Sequence, residues 1–358
     1  MSQTFTPQTF TSSTSAGTGL IAQYRGVICD LDGVVYRGAA AVPGAVQTLN
    51  RITDDGIEVV FATNNASRPP GDIGAHLREL GLEPRRWSVV TSSQAAAAYL
   101  AERLSTGATV FAVGGPGVAE ALSEVGLVPV GINDLDGTRV EAIVQGLGVD
   151  VTWRELAEIG YRVQDGATWV ATNLDIMLPT ARGPAPGNGA LVAAVRTATS
   201  EMPHVVGKPG AALFELARTR LGTEPAETLA CGDRLDTDIA GANAAGVESL
   251  FVLSGASRLQ DLVSAPPVAR PTYVAADLAG LLEPAIRLDS APDHLVELTP
   301  DGVPRILGGA DPARLLQSIV AVAWSAVDGG RTVSGDAGPW LRLEERLGLP
   351  QSGSRPGR

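Results

Sequence analysis

The stretch VICDLDGVVYRG, residues 27–38, decides the fold. Val27, Ile28 and Cys29 form an apolar run without polar alternation, the pattern of a strand buried on both faces, as in a parallel sheet. Asp30 and Asp32 follow at once, on either side of Leu31. Like charges beside a core strand cost stability unless a cation or a proton compensates them. The strand is therefore expected to end at a functional site.

Working outward, strand-like apolar runs alternate with amphipathic helical ones. IEVVFATNN (57–65) follows a helix expected from about Pro43 and closed by Gly56. A helix from Pro70 to Gly81, a short strand near 88–92 and an Ala-rich helix over 92–104 come next. A second βα series starts at ATVFAVGGPGVAEALSEVGL (108–127), and the Pro/Gly-rich LPTARGPAPGNGA (178–190) reads as a seam. The first pattern then returns with HVVGKPG (204–210), TLACGDRLDTDIAGANAAGV (228–247) and SLFVLSG (249–255). VGGPG (113–117) lacks the full spacing of a dinucleotide loop and reads as a tight βα turn.

The expected fold is α/β: a Rossmann-like, doubly wound parallel sheet core with an inserted α/β cap domain and a small C-terminal α+β appendage. The expected boundaries are a disordered Ser/Thr-rich tail over 1–20, a core over 21–92, the insertion over 93–186, the returning core over 187–287 and the appendage over 288–358. In the appendage, HLVELTPDGVPRIL offers a hairpin turning at Pro300, Asp301 and Gly302. Asp311 and Pro312 then open a helix with an apolar stripe that must pack on something.

Composition narrows the function. The 358 residues carry a formal net charge of −12, against the basic footprint that general nucleic-acid binding needs. No run approaches a membrane span, and the N-terminus has neither the basic start nor the apolar segment of a secretory signal. The two cysteines, Cys29 and Cys231, sit in apolar runs and read as reduced core thiols of a cytoplasmic protein. His76, His204 and His294 have no metal-ligand partners nearby in sequence.

Four fragments make one chemical set. Asp30 and Asp32 end the first strand, and Thr63, Asn64 and Asn65 end the second. Lys208 closes another apolar run, and Asp233 with Asp238 follow a fourth. In open α/β sheets ligands bind beyond the carboxyl ends of the strands, so all four are expected to face one crevice.

The ordered motifs DLDGV (30–34), ATNNAS (62–67), GKP (207–209) and GDRLDTD (232–238) resemble the haloacid dehalogenase superfamily of phosphohydrolases. The insertion, with ATNLD (171–175) and PGNGALVAAV (186–195), is similar to the type IIA cap branch. That branch includes phosphatases of p-nitrophenyl phosphate, phosphoglycolate, pyridoxal phosphate and glycerol phosphate. The resemblance covers roughly residues 21–285 and implies Mg²⁺-dependent hydrolysis of a small phosphate monoester through an aspartyl phosphate. Asp30 is the implied nucleophile and Asp32 the acid/base, which meets Mg²⁺ through its backbone carbonyl. Lys208 is implied to hold Asp30 and the phosphoryl group, with Thr63, Asn64 and Asn65 around the phosphoryl oxygens. The implied metal set is Asp30, Asp32, Asp233 and Asp238, the last through water or by steadying Lys208 instead. Asp236 is left out by register.

The resemblance puts glycerol 3-phosphate first as substrate, from actinobacterial members with an extra C-terminal segment. Pyridoxal phosphate, phosphoglycolate or a nucleotide stay open, with Trp153, Tyr161 and Trp169 as aromatic partners in the cap. A phospho-acceptor regulator or a scaffold is the alternative class. The partner is a small phosphate ester, with no nucleic acid and no membrane; a homodimer is left open. RILGGA (305–310) matches the R-x-x-G-x-A pattern of GNAT-type acetyltransferases, so the tail resembles a degenerate acetyltransferase-like segment, read as a packing or interaction module rather than an acyl-CoA site.

Overall fold

The structure is a computed structural model that describes residues 19–180, 182–285, 287–288 and 295–349. Most of the expected N-terminal tail, together with His294, lies outside the described residues. The core is a six-stranded sheet in the order Tyr273–Ala275, Glu248–Val252, Thr228–Gly232, Gly26–Cys29, Glu58–Thr63, Trp87–Thr91. Every pairing in it is parallel.

Alternation along the strands explains the double winding. Val27, Cys29, Val59 and Phe61 point into one apolar cluster, whereas Ile28, Val60 and Ala62 point into another. Successive side chains leave opposite faces of a strand, so runs apolar at every position need helices on both sides. The expected helices form over Ala45–Asp54, Pro70–Glu79 and Ser92–Ala101. Thr91 and Gln94 close a capping box at the start of the last.

The insertion carries its own five-stranded parallel sheet, ordered His204–Val205, Thr168–Ala171, Ala142–Gln145, Thr109–Val113, Val128–Val130. The expected return to the core at residue 187 falls later. The helix Asn188–Thr199 packs on the insertion's helix Trp153–Gln164, and His204–Val205 pairs with Thr168–Ala171. The Pro/Gly-rich seam is instead a hairpin, Met177–Thr180 with Gly183–Pro186, within the cap. Val195 and Val192 of that helix complete the apolar core behind Phe111 and Ile143, which ties the segment to the insertion. The other face of the inserted sheet shares Val110, Val144 and Val170 with the cluster that holds Ile28 and Val60 of the core.

The C-terminal segment is not a free-standing unit. Its hairpin, Val296–Leu298 with Pro304–Ile306, and helix Pro312–Asp328 form as expected, the Asp311 carboxylate accepting the Arg314 N–H at 3.1 Å. A further helix, Ala337–Arg346, follows. Leu315, Ile319, Val320, Ala323 and Trp324 pack with Phe251, Val274, Leu259 and Leu262. The apolar stripe therefore covers the face of the core sheet at its last two strands. At the RILGGA run, Arg305 pairs with Glu297 across the hairpin, and the Asp311 carboxylate occupies the helix start.

Candidate active site

The carboxyl ends of three core strands and the segment returning from the cap meet above the sheet. Cys29 and Cys231 are in register on adjacent parallel strands, so Asp30 and the Gly232–Asp233 turn emerge side by side. Lys208 follows the last cap strand. Its Nζ lies 2.5 Å from Asp30 Oδ1 and 2.8 Å from Asp238 Oδ1, with the lysine buried. Asp30, Asp233 and Asp238 each bring a carboxylate oxygen within 4.8 Å of the others.

Each carboxylate has a distinct setting. Asp238 Oδ2 accepts the N–H groups of Asp233 and Arg234 at 3.2 and 3.1 Å, so both of its oxygens are engaged. Asp233 Oδ2 accepts the Ala256 N–H at 2.5 Å, while its buried Oδ1 has no partner among the described residues. Gly33 (φ +87°) and Gly255 cradle this carboxylate, since a Cβ would fall 2.3 Å or 1.7 Å from its Oδ2. An orphaned buried carboxylate oxygen in an all-oxygen donor set suits a hard divalent cation such as Mg²⁺. Asp236 points outward and pairs with Arg234, in keeping with its omission from the set.

Electrostatics follow from this crowding. Burial, and then the nearby Asp238 charge, push the Asp30 carboxyl well above the usual carboxylate range, against the pull of Lys208. The same two causes raise Asp233 to about 7. Burial alone would lower the Lys208 ammonium, but Asp238 and Asp30 outweigh it and hold the lysine charged above its ordinary range. Loss of hydration in the cleft raises the Asp32 carboxyl, opposed by Lys208, Arg68 and His76. A carboxyl raised in this way is suited to carrying a proton.

The second strand's end is a clasp between core and cap. Thr63 Oγ1 accepts the Asn65 N–H at 3.0 Å, and Asn65 Oδ1 accepts the N–H and hydroxyl of Ser67. Asn64 spans the two sheets. Its Oδ1 accepts the Lys208 N–H at 2.8 Å, and its Nδ2 donates to Lys208 O and to Asp175 Oδ2 at 3.2 and 3.1 Å. Asn173 Nδ2 donates to Asn64 O at 2.8 Å, and Asn188 Nδ2 to Asn173 O at 2.9 Å. Asn173, Asp175, Asn188 and the Ser254–Ala256 turn were not assigned a place at the site from sequence. The NLD and PGNG runs were visible signals for the first three. Trp169, expected as a stacking candidate, is instead buried inside the cap, donating through Nε1 to Gln145 Oε1 at 3.1 Å. Trp153 and Tyr161 are exposed.

A buried lysine held by two carboxylates, beside a third with an unpaired oxygen, is a centre that can bind a divalent cation and present a carboxylate to an electrophile. Two family models match the chain: haloacid dehalogenase-like hydrolase over residues 27–128 and HAD-hydrolase-like over 205–281. A D-glycerol 3-phosphate phosphatase of Mycobacterium tuberculosis is 46% identical over 266 residues, covering 74% of this chain and 73% of its own. An acid sugar phosphatase of Staphylococcus aureus is 36% identical over 256 residues, 72% of this chain and 96% of its own. The crystal structure of a glycerol phosphate phosphatase from Mycobacterium tuberculosis in complex with magnesium superposes with a TM-score of 0.81 at 39% identity. It covers 93% of this chain and 100% of its own, a share that cannot be reached without the C-terminal segment. The chain belongs to the haloacid dehalogenase-like hydrolases.

Proposed function

We propose that this protein is a Mg²⁺-dependent phosphatase of small organic phosphates, with glycerol 3-phosphate as its substrate. The observation that carries the reading is the bridge from Lys208 Nζ to Asp30 and Asp238, beside the unpaired Asp233 Oδ1. Asp30, Asp233 and the backbone carbonyl of Asp32 would hold the metal, which supplies charge neutralisation so that an anionic ester can approach a carboxylate. Asp30 Oδ attacks phosphorus and the ester P–O bond breaks, with the Asp32 proton going to the departing alkoxide. Water then attacks the aspartyl phosphate and gives its proton to Asp32, releasing inorganic phosphate and restoring Asp30.

Lys208 stabilises the charge gathering on the phosphoryl oxygens, and Thr63 with the backbone near Asn64 offers donors to the same atoms. Asp238, with both oxygens engaged, steadies Lys208 and the Asp233 turn. Asn64 fixes the Lys208 backbone and carries the cap's position to the site.

The choice of glycerol 3-phosphate is supported by the mycobacterial relative's activity and by its solved structure's match through the C-terminal segment. Burial of Trp169 removes one of the three stacking partners that an aromatic substrate such as pyridoxal phosphate would use. The C-terminal segment fits a degenerate acetyltransferase-like remnant retained for packing, its helix start already satisfied by Asp311. A cytoplasmic site of action fits the two buried free thiols. Phosphate release from glycerol 3-phosphate, pyridoxal phosphate, phosphoglycolate and a nucleotide, with and without Mg²⁺, tests the reading. Steady multiple turnover fastest on glycerol 3-phosphate is expected; a single stoichiometric burst would instead mark a phospho-acceptor regulator.

A further inference from the structure

Asp233 is held from behind by the turn Ser254–Arg258, and the far end of that turn is held by the C-terminal segment. On the inner side, the Ala256 N–H reaches Asp233 Oδ2 at 2.5 Å and the Ser257 N–H reaches the Asp233 carbonyl at 3.1 Å. Ser254 Oγ donates to Gly33 O at 2.9 Å, and the Leu235 N–H donates to Ser257 Oγ at 3.3 Å. On the outer side, the next residues meet Glu344 of the helix Ala337–Arg346. Arg258 Nη1 donates to Glu344 Oε2 at 3.1 Å, and the Leu259 N–H donates to Oε1 at 3.2 Å.

Glu344 is only 4% exposed, among Trp340, Leu343 and Leu347. Burying a carboxylate there is unfavourable unless both oxygens are engaged, and they are. Apolar packing alone would be served by an aliphatic side chain. The carboxylate instead fixes Arg258 and the Leu259 N–H, one and two residues beyond Ser257, the last of the N–H groups that hold Asp233. Gly33 and Gly255 leave Asp233 no slack on its other flanks.

We propose that Glu344 is a positioning residue for Asp233, so that the C-terminal segment sets the cation affinity of a site whose carboxylates all follow strands of the core sheet. The inference rests on the reading of Asp233 as a metal ligand. Partners beyond the ligand shell commonly change metal affinity by about tenfold or more when removed. The full-length chain carrying Glu344→Ala or Glu344→Gln is compared with the wild type by Mg²⁺ titration calorimetry and by the Mg²⁺-induced rise in Tm. The Gln variant keeps the shape and the acceptor for Leu259 while losing the negative charge that faces Arg258, and so serves if the Ala variant does not fold.

The Mg²⁺ dissociation constant is expected to rise roughly tenfold in the Ala variant and about threefold or more in the Gln variant. A folded variant with lowered Tm but unchanged Mg²⁺ affinity overturns the proposal, since it leaves Glu344 with a packing role only. Asp233→Asn separates the two readings. Loss of Mg²⁺ binding in it, with the Glu344 variants unchanged, overturns this inference alone. Wild-type Mg²⁺ binding in it overturns the metal assignment and this inference together.

Discussion

Lys208 Nζ lies 2.5 Å from Asp30 Oδ1 across 178 residues of chain, with the entire inserted sheet between them in sequence. The lysine enters directly from the last strand of the cap, so folding of the insertion delivers the cation that the first core strand's carboxylate requires. The same ammonium reaches Asp238, and one buried charge thus serves two carboxylates.

Replacing Asp30 with Asn keeps the shape and removes the carboxylate proposed as the nucleophile. Steady phosphate release from glycerol 3-phosphate is expected to fall by more than about a thousandfold, the scale seen when a covalent-catalysis residue is lost. Substantial residual turnover in this variant would remove Asp30 from its assigned role.

Lys208→Met leaves Asp30, Asp233 and Asp238 facing one another without their cation. Breaking a buried ion pair from one side costs roughly 3–5 kcal/mol, and part of that is expected to return on adding Asp238→Asn. Urea unfolding in EDTA measures both; a double variant no more stable than the single one contradicts the shared-charge account.

Stability of the metal-free protein should fall as pH rises from about 4 toward neutrality. Burial and the Asp238 charge push the Asp233 carboxyl up to about 7 in the folded chain. The unfolded chain's value stays near the ordinary carboxylate figure of about 3.9, so the folded state binds the proton more tightly. This contribution is complete below the unfolded value and is lost as pH passes through about 7. In EDTA, Tm should drop between about pH 4 and 7 and level off above that, and Asp233→Asn should drop less. Equal slopes for the two proteins would reject the shift.

Gly255→Ala would place a Cβ 1.7 Å from Asp233 Oδ2, so either the turn or the carboxylate must move. Mg²⁺ binding is expected to be lost while far-UV circular dichroism stays near wild type. Calorimetry showing unaltered affinity would mean that the cradle is slack.

Trp324→Ala removes a buried ring together with its Nε1 bond to Leu262 O at 2.8 Å. Destabilisation of about 3–5 kcal/mol is expected from denaturant unfolding. A loss near zero would detach the appendage from the core.

Much of the core was legible because its signals are local. The apolar runs at 27–29 and 59–62, the Gly and Pro stops and the Asp311 cap all act within a few residues, and strands and helices form around them. The seam near residue 187 misled because Pro and Gly mark a turn without saying which sheet the chain rejoins. Only the pairing of His204–Val205 with Thr168–Ala171 decides that. Trp169 misled for a related reason, since a strand's register sets which face a side chain takes, and its indole faces inward.

By itself, the sequence determined the doubly wound parallel sheet and the carboxylates, asparagines and lysine at its carboxyl ends. Those properties follow from side-chain chemistry and strand period. Tertiary structure alone decided the unpaired Asp233 oxygen, the Asn64 clasp between core and cap, and Glu344 behind the Asp233 turn. The Asn64 and Glu344 contacts join segments 85 to 144 residues apart, and no local pattern encodes which distant groups will meet.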